Sequence, residues 1–390
     1  MATSRFLRSA LSLTVLIGSA SAFPGNVWVV DEGGTGDFSE IQLAVQAATS
    51  GDTILVLPGN YAGFSINGKT LSIAGDAAQF ILVSGKVSIR HLTATDDVTL
   101  SGLNMQNGLL VSNCVGHVGI ADSYLETPGL NQISGQALLG RHQIVASEDV
   151  VFTRSTLRGR DGGNDTYCDT VLDGIFGESS ISLRTSSVAF YSCDLLGGDG
   201  GDSGDGYCGP FCEPAFQGNG GDGVNAAQQS YVYLDDTIPV GGQRGSHQGC
   251  AGQFNVDGLP VHLDSTSQLE EAADPILSFD APTVVREDDQ LAVTVTGPVG
   301  NMTWMIWSDT PKWRPFGGNL GLLHLDSQTL VLQPLGAIPA SGVLSASMSP
   351  PPVAMGMGAR RLFIQIFAID GVAGRLLGTT SSLDVLDPAF

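Results

Sequence analysis

Charge is scarce in this chain, and positive charge scarcest of all. Only 14% of the 390 residues are charged, with 17 lysines and arginines against 39 aspartates and glutamates. The net charge of −22 argues against nucleic acid or an anionic membrane as partner, since both are held by basic surfaces. Beyond residue 22 there is no run of 18 apolar side chains, so no helical membrane span is expected there. Histidine offers no catalytic or metal pattern, because His91, His117, His142, His262 and His324 stand without partner spacing. Tryptophan is nearly missing from the first 300 residues, where Trp28 stands alone, and then gathers as Trp304, Trp307 and Trp313.

What is present begins with an export signal. Arg5 and Arg8 precede the apolar run 11–17 and the small residues Ala20-Ser21-Ala22, so cleavage is expected before Phe23. Removing residues 1–22 takes away two arginines and moves the net charge from −22 to −24. The expected location is extracellular, periplasmic or on the cell surface. In such a compartment an even number of cysteines favours disulfides. Of the six, Cys168, Cys208, Cys212 and Cys250 are the candidates, and Cys114 and Cys193 lie in or near repeated strands. Cys208, Cys212, His247 and Cys250 also have the residue types of a tetrahedral zinc set, which an oxidising compartment disfavours.

Five segments repeat one pattern. VTLSGLNMQN, VGIADSYLET, VVFTRSTLRG, VAFYSCDLLG and VYLDDTIPVG begin at Val98, Val118, Val150, Val188 and Val232. Two residues on stand Leu100, Ile120, Phe152, Phe190 and Leu234; seven residues on stand Met105, Leu125, Leu157, Leu195 and Pro239. Alternation over the first positions is the two-residue period of a strand, and a unit this small buries its apolar face only by stacking on its neighbours. The starts are separated by 20, 32, 38 and 44 residues, so material beyond one short turn leaves the stack as loops of growing length. Those loops, 159–178, 197–223 and 241–258, are rich in glycine and aspartate and form a crest along one edge. Within the crest Asp199, Asp202, Asp205 and Asp222 place hard oxygens on glycine-rich backbone that is expected to flex, which suits Ca²⁺.

Residues 27–76 add a different signature. Ser39 and Gln42 have the form of a capping box, Ile41, Ala44, Val45 and Ala48 lie on one helical stripe, and Gly51 follows. Strands are expected at 53–57, 64–66 and 71–73. The order strand, GTGDFSEIQLAVQAA, GDTILVLPGNY and a following coil resembles the opening of secreted β-helix proteins of the pectin-lyase-like superfamily, pectin methylesterases included. The resemblance covers about residues 27–260. It implies a right-handed parallel β-helix, which the helical stripe closes with a short N-terminal capping helix; with a small antiparallel β-sandwich following it, the chain is expected to be all-β. The sandwich is expected from seven short runs beyond residue 276, with Trp304, Trp307 and Trp313 either in its core or on a sugar-binding platform. The domain boundaries are 1–22 for the signal, 23–268 for the helix, 269–275 for a linker and 276–390 for the sandwich.

Catalytic residues are less marked. Asp173-Gly174-Ile175-Phe176-Gly177 resembles the Asp-Phe-Ile-Phe-Gly segment of pectin methylesterases, whose aspartate is catalytic; the family's downstream Leu-Gly-Arg-Pro-Trp has no counterpart. A lyase would need a base such as Arg154 beside carboxylates. The column four residues after each valine supplies Asp122, Arg154, Ser192 and Asp236, with Arg158 and Asp194 close by. An ion-pair ladder uses the same residues without catalysis. The expected function is a secreted or surface protein that binds a polysaccharide or the cell envelope through Asp122, Arg158, Asp194 and Asp236, with Ca²⁺ as the one cofactor in view. The alternative is a polysaccharide lyase or esterase using Arg154 and Asp173.

Overall fold

The computed structural model describes residues 25–75, 80–127, 141–163, 175–202, 217–246, 255–272, 276–315, 321–370 and 374–390. The signal segment, Asp173, Asp205 and the four crest cysteines lie outside the described residues. Within them the regular structure is almost all strand, with one helix, Ile41–Ala47.

From residue 53 to 271 the chain visits three parallel sheets in strict rotation, so each strand pairs with those one turn before and after it. The first sheet has nine strands, from Val27–Val30 to Gln268–Glu271; the second and third have seven each, ending at Ile238–Val240 and Val261–Leu263. The repeat sets the register. Val98, Val118, Val150, Val188 and Val232 are successive partners in the first sheet, and each is fully buried. Two residues on, Leu100, Ile120, Phe152, Phe190 and Leu234 form the next stack, in which the Phe152 and Phe190 rings lie 5.2 Å apart and nearly parallel. Met105, Leu125, Leu157, Leu195 and Pro239 align in the second sheet. One apolar cluster runs through all of these turns.

The helix departs from its expected start. Its N-cap is Glu40 with no side-chain cap, so Ser39 and Gln42 form no capping box; the Gln42 amide oxygen instead accepts the Ser65 N–H at 2.7 Å. Its last carbonyls are held from the next turn, where Lys69 donates to Val45 O and Ala48 O. Ile41, Ala44 and Val45 join the main core, as the stripe predicts.

Two columns of left-handed backbone turn the corners between sheets. After the first sheet stand Gly102, Asp122, Arg154, Ser192 and Asp236, with φ between 46° and 68°; after the third stand Gly68, His91, Asn113, Ala146, Thr185 and Gln228, with φ between 49° and 58°. Such a conformation costs a non-glycine residue about 1–2 kcal/mol. Each bend is held by the next rung, as where Asp122 N–H donates to Thr153 O and Arg154 N–H to Tyr191 O.

The described crest segments are ordered backbone, which corrects for those residues the expectation of adaptable loops. Segments 159–163, 197–202 and 241–246 run outward, while 175–180, 217–223 and 255–259 return. A relay of N–H to carbonyl bonds crosses from one layer to the other: Gly258 to Gly242, Gly242 to Gly221, Gly221 to Gly198, Gly198 to Glu178 and Glu178 to Arg160, each 2.8 or 2.9 Å. Three residues along, Gly245 to Gly218, Gly218 to Gly201 and Gly201 to Ile175 repeat it. A period of three is that of polyproline-II chains, in which only glycine fits against a close neighbour. A Cβ on Gly198, Gly221 or Gly242 would meet a carbonyl oxygen at 2.0 Å or less. The described crest glycines lack positive φ, so tight packing rather than backbone freedom requires them.

Beyond the last coil strand, a three-stranded sheet (Ser278–Asp280, Leu291–Thr296, Val343–Met348) and a five-stranded sheet (Val284–Arg286, Gly374–Leu386, Ala359–Asp370, Met302–Ser308, Val331–Ala337) share a second apolar cluster. The expected all-antiparallel pairing is broken at one edge, where Val284–Arg286 runs parallel to Gly374–Leu386. Three of these strands were not expected from the sequence: Ser278–Asp280, Val284–Arg286 and Pro311–Pro315, the last pairing with Leu322–Leu325. The tryptophans form no common platform. Trp304 packs on Phe367, Trp307 on the second cluster under Arg360, and Trp313 on Tyr231 and His324.

Candidate binding surfaces

The outer face of the first sheet is covered by the C-terminal unit through polar contacts and two apolar clusters, one joining Val151, Ala189, Tyr191 and Tyr233 to Leu322 and the other Val27 and Leu55 to Ala359 and Leu386. Arg361 is buried between Asp97 and Asp384, and Asp384 also accepts from Ser72. Thr153 donates to Thr380 O at 2.7 Å, and Tyr191 Oη meets His324 Nε2 at 2.7 Å. His117 faces Asp149 at 3.1 Å. Burial drives the His324 imidazole down to about 4, with Asp149 opposing the shift and His117 adding to it. A cavity of about 20 Å³ lies in this seam among His117, Thr153, His324, Phe363 and Ser381, room for about one water molecule.

The column Asp122, Arg154, Ser192, Asp236 divides into two pairs. Arg154 forms a fork on Asp122, with Nε and Nη2 at 2.7 and 2.8 Å from the carboxylate oxygens. The same guanidinium donates to Ala281 O at 3.0 Å and lies 3.5 Å from Asp280, which ties the stack to the C-terminal unit. Ser192 donates to Asp236 at 3.0 Å. Arg158 pairs with Asp161 at 3.0 Å, not with Asp194, which accepts from Thr156 at 3.4 Å. The predicted binding residues are thus not brought together in one cleft.

In the crest each described aspartate of the predicted Ca²⁺ set accepts a backbone N–H from the next segment. Asp199 takes Gln243 at 2.7 Å, Asp202 takes Ser246 at 2.6 Å and Asp222 takes Leu259 at 2.9 Å. Among the described residues no three histidine, cysteine, aspartate or glutamate side chains converge as a metal set. The described cysteines, Cys114 and Cys193, are buried thiols, and burial pushes Cys193 up to about 12. At the base of the crest, buried Glu178 holds Arg160 at 2.8 Å and Arg141 at 2.9 Å.

The third sheet presents a surface that repeat alignment did not reveal. Its seven strands, SIN, VSIR, LLVS, QIV, ISLR, VNAA and VHL, contain no aspartate or glutamate. Ile66, Ile89, Val111, Ile144 and Leu183 face the core, so the alternate residues face outward. One outward row runs Asn67, Arg90, Ser112, Val145, Arg184, Ala227; beside it runs Ser65, Ser88, Leu110, Gln143, Ser182, Asn225, His262. Arg90 and Arg184 are exposed and three rungs apart, about 14 Å at the usual strand spacing. Glu178 and Asp222 flank the strip, the first occupied by its arginines and the second 3.3 Å from His262. The readable signal was the lack of carboxylates between each crest loop and the next valine, set against a strongly acidic chain.

No protein-family model and no curated protein sequence matches this chain. A match among solved structures is superoxide reductase (neelaredoxin) from Ignicoccus hospitalis, 14% identical over 29% of this chain and 80% of that one, with a TM-score of 0.15. A likeness of that size bears on neither fold nor activity.

Proposed function

We propose that this chain is an exported right-handed parallel β-helix of the pectin-lyase-like type, spanning 23–271, since the first residues of the expected linker belong to the strand Gln268–Glu271, and closed at its N-terminal end by the helix Ile41–Ala47. A mostly antiparallel β-sandwich, 276–390, clasps its flank. The protein binds an anionic polysaccharide of a cell envelope or extracellular layer and does not cleave it. The observation that carries this reading is the carboxylate-free face of the third sheet, with guanidiniums at Arg90 and Arg184 and amide and hydroxyl rows between them. Although the chain as a whole is acidic, this row carries two cations three rungs apart and no carboxylate, which fits an extended polyanion, and guanidinium groups hold carboxylates through paired hydrogen bonds. The binding reading is favoured over a lyase because Arg154 is tied to Asp122, Asp280 and Ala281.

The chain from Phe23 onward should bind immobilised polygalacturonate at low salt and not dextran. Arg90→Ser with Arg184→Ser should weaken binding by about tenfold or more. Unchanged affinity in that double variant would reject the face. Loss of binding in EDTA, reproduced by Asp199→Asn with Asp202→Asn, would move the site to the crest. Release of unsaturated products or methanol, abolished by Arg154→Ala or Asp173→Ala, would replace binding with catalysis.

A further inference from the structure

The longest stretch without a charged side chain runs from Ser327 to Ala359, 33 residues between Asp326 and Arg360. It contains two strands that end their sheets: Val331–Ala337 closes the five-stranded sheet and Val343–Met348 the three-stranded one. Along it Val331, Leu332, Val343 and Met355 are exposed, Met355 completely. An edge strand offers unpaired N–H and carbonyl groups, and proteins guard such edges with charges, proline or bulges. The other edges of the three- and five-stranded sheets are guarded: Ser278–Asp280 ends in an aspartate, Val284–Arg286 in an arginine, and Val331–Ala337 contains Pro334; Leu322–Leu325 of the two-stranded sheet is buried. Val343–Met348 has no charge and no proline, and its pairing with Leu291–Thr296 is without a bulge.

We propose that Val343–Met348 is a self-association edge, pairing antiparallel with the same strand of a second copy so that two three-stranded sheets become one of six. The occupant follows from charge. A chain at −22 repels its own copy wherever acidic surfaces approach. The charge-free edge lets two copies meet without setting carboxylates against each other, and unlike the carboxylate-free face of the third sheet it carries no arginines to repel their counterparts and ends a sheet. Leu344, Ala346 and Met348 face the core, leaving Val343, Ser345 and Ser347 outward. Self-pairing about a two-fold axis that keeps both cores on one side sets outward residues opposite outward residues, with Ser345 facing Ser345 or Ser347 of the second copy. This inference is independent of glycan binding.

The test is the mass in solution of the chain from Phe23 onward, by sedimentation across a range of concentrations. The wild type should reach twice the single-chain mass. Ser345→Asp with Ser347→Asp should be monomeric, raising the dissociation constant at least tenfold, and so should Ser345→Lys with Ser347→Lys. Mixing the two variants should restore the double mass, which also shows that both fold. A wild type that stays monomeric, an aspartate variant that still dimerises, a mixture that stays monomeric, or open-ended growth in place of a dimer would each overturn the proposal.

Discussion

The coils and the crest are built from one chain by opposite means. In the coils a two-residue period sends valine, phenylalanine and leucine inward, and stacked side chains exclude water along the whole length of the core. In the crest a three-residue period sends glycine inward, and nothing separates neighbouring backbones except their own hydrogen bonds. The difference teaches that glycine-rich sequence signals two opposite physical situations, free backbone and backbone packed too closely for any Cβ. What separates them is spacing: Gly197 and Gly200, Gly198 and Gly201, Gly218 and Gly221, and Gly242 and Gly245 all recur at three. Ordering glycine carries the largest backbone entropy cost of any residue. The crest therefore depends on the coils that deliver each segment in register.

The comparison breaks first at the coil core. Phe152→Ala should lower the unfolding free energy by about 3–5 kcal/mol, measured by urea denaturation, because its ring stacks on Phe190 and both are fully buried. A loss under about 1 kcal/mol would mean that the stack relaxes into the cavity.

The crest should respond more locally. Gly221→Ala places a Cβ 2.0 Å from Glu178 O and should cost about 1–3 kcal/mol, with new protease cuts confined to 175–258. Gly356→Ala is the contrasting control, since its Cβ meets nothing within 4 Å, and any cost comes from its φ of 85° alone. Equal proteolysis of the two variants would contradict close packing in the crest.

The smallest effect depends on pH. Burial, with Asp236 adding to it, pushes the Asp235 carboxyl up to about 7. The folded state thus holds this proton more tightly than the unfolded chain does. The stability it contributes is full below about pH 4 and lost as pH rises towards 7. Asp235→Asn should gain on the order of 1–3 kcal/mol over wild type at pH 8 and almost nothing at pH 4. His324, held down to about 4, works in the other sense, its stability being lost as pH falls from 6.5. An identical gain at both pH values would show that the Asp235 carboxyl is not the cause.

The coil register was legible because valine, a large apolar residue and leucine recur at fixed offsets, and a one-residue slip would expose them all. The crest order was missed although its glycines recur at three, because its stabilising atoms are backbone and its relay partners lie from 16 residues apart, Gly258 to Gly242, to 27, Gly245 to Gly218, in loops of unequal length. The column Asp122, Arg154, Ser192, Asp236 was legible as a column, but its cause is the left-handed bend at each corner, which leaves no residue-type signature beyond tolerance. The Arg154–Asp122 ion pair was legible from the column, but the carbonyl partners of Arg154, Phe279 and Ala281, were not, because they come from the C-terminal unit more than 120 residues away. The third-sheet face was missed for a related reason. It is marked by what its strands omit, and an alignment keyed on valines of the first sheet does not weigh omissions.

Backbone amide hydrogen exchange at Gly198, Gly221 and Gly242 tests the crest most directly. These N–H groups donate along a continuous relay at 2.8–2.9 Å. They should be protected as strongly as the amides of Ser187–Tyr191 in the adjoining coil. Exchange at the rate of an unstructured chain, with the coil amides still protected, would contradict the ordered glycine bundle and return these segments to the status of loops.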